Sequence, residues 1–279
     1  MRAQSLSVCI PWAGCDKNCP YCVSQITGLE PSNHTLMMDN LPKVRTLAKA
    51  ALVSTVLFTS KGEPFVNYGK VLLFLSEFKD YWTEIQTNGI WLSNNLYKLP
   101  ELQRTGLNIV AVSVDCMRDM NKDLFKAIRK AGMVCRVTFN ITNDSYIEYT
   151  GIDRRGDPVT FQNLVDQCKE SSVHQMTLRN IVRPNFTEEV KQSKWIEDNV
   201  DPLMYERLRK EMIAACESKG QLLRSLEYGS KVYDYEDISV SYSDYCIQDT
   251  NEGDDIRSLI FQENGHCYTS WNSKASILF

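Results

Sequence analysis

The run Ser5-Leu-Ser-Val-Cys-Ile-Pro11, followed shortly by Cys15-Asp-Lys-Asn-Cys19-Pro-Tyr-Cys22, sets the reading of this chain. The first part reads as a strand, and a loop carrying three cysteines opens at its C-terminal end. Five more strand-like runs follow, at Ser54–Thr59, Thr83–Thr87, Asn108–Val114, Met133–Ile141 and His174–Ile181. Helical patterns separate them, over Pro42–Ala51, Tyr68–Phe78, Asn121–Lys130 and Thr160–Ser171, with a loop and short helix at Asn94–Arg104. In Tyr68–Phe78 the residues Val71, Leu72, Leu75 and Phe78 share one face, and Gly132 stops the helix over Asn121–Lys130. Strands alternating with crossover helices predict an α/β fold with a parallel sheet. No glycine fingerprint for a dinucleotide follows the first strand, so a partial (β/α)6 barrel is expected rather than a Rossmann sheet. Chemistry in such a fold belongs at the C-terminal ends of the strands.

After Ile181 the rhythm changes. Pro184–Val200 reads as charged and irregular, and Pro202–Ser218 as a helix. Short strands are expected at Lys231–Tyr235 and Ile238–Tyr242, then a hairpin of Ile256–Phe261 with Tyr268–Trp271 across Asn264-Gly265. The expected organisation is a partial barrel over 1–200. A C-terminal α+β extension over 201–279, a helix plus short strands, would shape or cover the active site. Its Tyr228, Tyr233, Tyr235, Tyr242, Tyr245, Tyr268 and Trp271 suit a substrate pocket or the glue between hairpins and barrel.

The composition is that of an ordinary globular protein, with 43% hydrophobic and 24% charged residues in 279. A net charge of −4 argues against bulk nucleic-acid binding. The N-terminal stretch has no secretory apolar region, and Ala48–Phe58 is about half the ~20 residues that span a bilayer. A cytoplasmic protein without membrane association is expected, where thiols stay reduced. Ten cysteines are then best read by spacing. Three share one loop and seven are scattered. Thiolates suit iron–sulfur clusters or zinc, but structural zinc wants four ligands and no partner knuckle is present. A [4Fe–4S] cluster with one unligated iron accounts for three ligands better than zinc does.

The CxxxCxxC spacing, with Tyr21 just before the last cysteine, resembles the radical S-adenosylmethionine (SAM) superfamily. Thr59-Ser-Lys-Gly62-Glu63-Pro64 resembles that family's Gly-Glu-Pro motif, and Gln86-Thr87-Asn88-Gly89 a turn common among its members. Lys61 stands where many members carry the first of two glycines. No glycine-rich adenine segment is visible in the fifth strand, where Arg136, Thr138 and Asn140 alternate onto one face.

The resemblance implies that Cys15, Cys19 and Cys22 ligate three irons and that SAM chelates the fourth. An electron donor such as flavodoxin or ferredoxin would reduce the cluster. SAM would then be cleaved to a 5′-deoxyadenosyl radical, which abstracts a substrate hydrogen. Tyr21, Gly62, Glu63, Ser113, Asp115 and Arg179 would bind the cofactor, with Asp115 on ribose hydroxyls and Arg179 on a carboxylate. Asp115 equally suits a helix cap, Glu63 a turn, and Arg179 a structural ion pair. Cys116 is a candidate catalytic thiol, although a lone thiol more often packs as a small hydrophobe. A small-molecule or nucleotide-like substrate is expected first. Modification of a protein or peptide partner is the alternative, and an electron-transfer protein a third reading.

Overall fold

Six parallel strands lie side by side in chain order: β1 (Arg2–Ile10), β2 (Thr55–Ser60), β3 (Trp82–Thr87), β4 (Ile109–Val114), β5 (Val134–Ile141) and β6 (Gln175–Asn180). This computed structural model describes residues 2–22, 31–150, 161–183, 191–226, 230–244, 255–271 and 273–279. Helices α1 (His34–Ala50), α2 (Tyr68–Glu77), α3 (Ile90–Ser93), α4 (Leu99–Thr105), α5 (Lys122–Lys130), α6 (Asn143–Thr150) and α7 (Phe161–Glu170) join the strands. They are followed by α8 (Lys191–Asn199) and α9 (Pro202–Lys219). The sheet is open, and later strands extend both of its edges. Strand β9 (Ile238–Ser243) pairs in parallel with β6 and carries β8 (Lys231–Tyr235) and then β7 (Gln221–Ser225), both antiparallel. On the other edge β10 (Asp255–Phe261) pairs in parallel with β1 and carries β11 (Cys267–Tyr268).

The lateral register divides the sheet into two chemically distinct faces, because successive side chains point to opposite sides. Leu6, Val8, Val56, Phe58, Ile85, Val110, Val112, Val137, Phe139, Met176 and Leu178 fall on one face and are fully buried. They share a core with Val44 of α1, Phe74 of α2, Ile128 of α5, Leu164 of α7 and Met212 of α9. The other face carries Ser7, Thr59, Gln86, Ser113, Arg136, Thr138, Asn140, Thr177, Arg179 and Ser241. Closed barrels fill this side with large branched residues. Here small and polar side chains leave it open for a ligand.

Several elements differ from the sequence reading. The first helix starts at His34, eight residues before Pro42, because the Asn33 side chain caps it by accepting from Leu36 N at 3.1 Å. Met37, Leu41, Val44 and Ala48 keep the helical spacing through the proline. Lys191–Asn199 is helical rather than irregular, and α6 was not anticipated. The hairpin forms as expected, with Ile260 opposite Tyr268, although its second strand is only two residues long. Tyr233, Tyr235 and Tyr242 belong to the core. Tyr228, Tyr245 and Cys246 lie outside the described residues. Among the described residues no helix is long and apolar enough to cross a membrane.

Candidate active site

A cavity of about 890 Å³ opens over the C-terminal ends of the strands. Cys15, Cys19, Cys22, Tyr21, Gly62, Glu63, Ser113, Asp115 and Arg179 all line it, so one cavity gathers every cluster and cofactor residue expected from the sequence. Cys116 is not among its lining residues. It lies past β4, half-buried, at the start of a short turn.

The cysteine loop leaves β1 and docks by its backbone onto the loop after β2. Gly14 O accepts from Glu63 N at 2.9 Å. A Cβ on Gly62 would stand 2.1 Å from that same carbonyl oxygen, so only glycine permits the contact. Glu63 is 2% exposed. Its carboxylate accepts from the Thr87 hydroxyl at 2.7 Å, from Asn88 N at 2.8 Å and from Phe65 N at 3.2 Å. Burial pushes its pKa up to about 7, against the pull of those donors from Asn88, Thr87 and Phe65. Asn88 in turn donates to Asp16 Oδ1 at 2.6 Å and lies 3.8 Å from Cys15 Sγ. The turn after β3 thus grips the cysteine loop.

Asp115 ends β4 in a different setting. It accepts from Lys17 Nζ at 3.0 Å, from Asn140 Nδ2 at 2.6 Å and from the Tyr21 hydroxyl in a short contact. Lys17 also reaches Asp119 Oδ2 at 2.7 Å. Burial would raise the Asp115 pKa, but the Lys17 charge and the donors Tyr21 and Asn140 outweigh it, and the net shift is downward. Trp195 of α8 lies against Tyr21 with ring centroids 5.5 Å apart. Burial and the Asp115 charge push the Cys19 thiol up to about 12, so at neutral pH it would release its proton to solvent only as its sulfur binds a strong Lewis acid.

The residues present fit a thiolate-held cluster and a polar cofactor. The three cysteines are free thiols, exposed or half-exposed at the cavity. Among the described residues no three His, Cys, Asp or Glu side chains gather closely enough for a single ion. A cubane has no such requirement, since each thiolate takes a different iron. Asn140, 6% exposed, lines the cavity, and its Oδ1 has no hydrogen-bond partner among the described residues. Arg179 stands beside it in the strand register and forms no ion pair with a described residue. A ligand bearing a donor and an anionic group would satisfy both.

Sequence reading missed Lys17, Asn88 as a contact to the cysteine loop, and Glu263. Lys17 lies within the motif but was not singled out as a partner of Asp115. Glu263 comes from the β10–β11 hairpin and lines the cavity, with nothing in the sequence but a turn acid to mark it.

No protein-family model matches the chain. It is 27% identical over 200 residues to a 7-carboxy-7-deazaguanine synthase of Clostridium acetobutylicum, covering 64% of this chain and 86% of that protein. The crystal structure of Streptococcus suis SuiB bound to S-adenosylmethionine superposes with a TM-score of 0.62 at 16% identity, over 96% of this chain. SuiB bound to its precursor peptide SuiA gives 0.61 at 16% identity. The chain spans about 60% of SuiB's length, and that likeness speaks to the fold. The 27% identical relative, the shared fold and the thiol spacing at the sheet's C-terminal edge agree with the resemblance to radical S-adenosylmethionine enzymes read from the sequence.

Proposed function

We propose that Cys15, Cys19 and Cys22 hold the [4Fe–4S] cluster and that the walls of the cavity bind SAM for hydrogen abstraction from a small, polar, nucleobase-like substrate. The observation that carries this reading is the convergence of three free thiols and the expected cofactor residues on one cavity. When bound and reduced, the cluster supplies the electron that cleaves SAM reductively.

This chain's own residues do the placing. The Gly62 backbone and the Glu63 turn shape the wall beside the thiols. Asp115 and Ser113 offer acceptors for hydroxyl groups, and Arg179 offers a fork for a carboxylate. Tyr21 keeps one edge of Asp115 covered. The reduced thiols suit a cytoplasmic setting and a flavodoxin- or ferredoxin-like donor. The 1–200 segment would then bring cluster and cofactor together, while 201–279 shapes the mouth.

The small-molecule preference is supported by the 27% identical relative, whose name describes synthesis of a carboxylated deazaguanine. A peptide substrate is the second reading, favoured by the fold shared with SuiB, which was crystallised with a precursor peptide. Anaerobic protein with reductant and SAM should yield 5′-deoxyadenosine, and the triple variant C15A/C19A/C22A should carry no cluster and yield none. A triple variant that keeps a full cluster would refute the assignment. Deuterium transfer into 5′-deoxyadenosine from labelled metabolites supports the first substrate class, and transfer from labelled peptide supports the second.

A further inference from the structure

We infer that Glu263 is a positioning residue for the cysteine loop, a carboxylate that reaches in from the β10–β11 hairpin and ties the two flanks of that loop together. The inference rests on the assignment of Cys15, Cys19 and Cys22 to the cluster. Its support is separate, and lies in the bonds on either side of the loop.

Glu263 is 3% exposed and lines the cavity. Its Oε2 accepts from Trp12 N at 2.7 Å and from Ser32 Oγ at 2.6 Å. Trp12 precedes Cys15 and Ser32 follows Cys22, so one oxygen holds both flanks of the loop. The Glu263 carbonyl accepts from Asn33 N at 2.9 Å, which secures the second flank again. A buried carboxylate needs compensating charge. Lys61, from the loop after β2, supplies it with Nζ 3.3 Å from Oε1. Three segments distant in sequence therefore meet at one side chain.

The hairpin that presents Glu263 is itself fixed. Strand β10 is hydrogen-bonded to β1, and Asn40 Nδ2 of α1 donates to Gly265 O at 2.9 Å. Gly265 has φ +88°, and a Cβ there would stand 2.7 Å from Met37 N, so the turn lies directly on α1. Glu263 thus acts from a rigid base. Groups that orient metal ligands from behind commonly matter about 10- to 100-fold to metal affinity.

The test uses the full chain in two states, free of iron and reconstituted anaerobically with iron and sulfide. In the iron-free chain, E263A should speed amide exchange at Trp12 and in the peptide covering residues 12–19. In the reconstituted chain it should lose iron to a chelator about 10- to 100-fold faster than wild type. Its electron paramagnetic resonance signal should respond more weakly to added SAM. E263Q keeps one acceptor oxygen but loses the charge facing Lys61, and its iron loss should fall between the two. S32A should move in the same direction by less. Wild-type rates of iron loss and of amide exchange in E263A would overturn the inference. Should E263A fail to fold, wild-type behaviour of both E263Q and S32A overturns it instead. A wild-type chain that takes up no iron defeats the proposed function, and the amide exchange then decides the role of Glu263 alone.

Discussion

Glu63 and Asp115 line the same cavity from different loops, and the groups that hold them differ in kind. Glu63 is held by two backbone N–H groups and a hydroxyl, all uncharged and all fixed by the turns after β2 and β3. Asp115 is held by the long side chain of Lys17, a phenol and an amide. Main-chain donors cannot leave without unfolding the turn. Side-chain donors can swing aside for a ligand. The first carboxylate therefore builds the wall, while the second is an acceptor that a ligand's hydroxyls can compete for.

The largest effect should come from attacking the built wall. Gly62→Ala places a methyl against the Gly14 carbonyl, and overpacking of this kind costs about 1–3 kcal/mol. We expect a lower melting temperature together with poor iron uptake, because the cysteine loop must move off the Glu63 turn. Unchanged melting and iron content would mean the two loops are not locked.

Glu63→Gln should be next, costing roughly 1–3 kcal/mol, because the amide NH2 that replaces one oxygen faces a buried donor and cannot accept from it. It also changes the pH dependence of stability. The Glu63 pKa is raised in the fold from 4.5 to about 7. Its contribution is therefore present below pH 4.5 and lost as pH rises toward 7, at most about 3 kcal/mol. Denaturant titrations of the iron-free chain should show this decline in wild type, and a flatter profile in E63Q. Identical slopes would place Glu63 outside the titration.

Asp115→Asn should split the other way. Lys17 keeps its 2.7 Å partner Asp119, so stability should shift by less than about 1 kcal/mol. The KM for SAM should rise about tenfold, the loss of one hydrogen bond to a charged group. A large stability loss with unchanged KM would reverse the contrast with Glu63. The smallest effect belongs to Cys116→Ala, where iron content should be unchanged and stability should move by about 0.5 kcal/mol or less.

Much of this arrangement was legible because two patterns are local. Strands such as Asn108–Val114 declare themselves by composition, and the cysteine triplet by spacing. The register then carries Glu63, Asp115 and Arg179 to one edge without further information. What escaped depends on pairings between distant segments. The helix over Lys191–Asn199 carries few apolar residues, with only Ser193 and Ile196 buried, so its periodicity is weak. Strands β8 and β9 and the β10–β11 hairpin were read as strands, while β7 (Gln221–Ser225) was not, and nothing in them says that β9 joins β6 and β10 joins β1. Glu263 was invisible for the same reason, since its partners Trp12 and Ser32 lie more than 230 residues away.

That separation has a consequence for the order in which the protein matures. Strand β1 and the cysteine loop are made about 250 residues before β10 and Glu263. At synthesis rates of roughly 5–20 residues per second, that interval lasts on the order of ten seconds or more. During it β1 can pair with β2 while its other edge stays bare, and neither flank of the cysteine loop has its Glu263 partner. Iron delivery that comes before the hairpin closes would meet a loose loop, and delivery afterwards a braced one. On the proposed assignment, a braced loop for the cluster would exist only once the β10–β11 hairpin has formed.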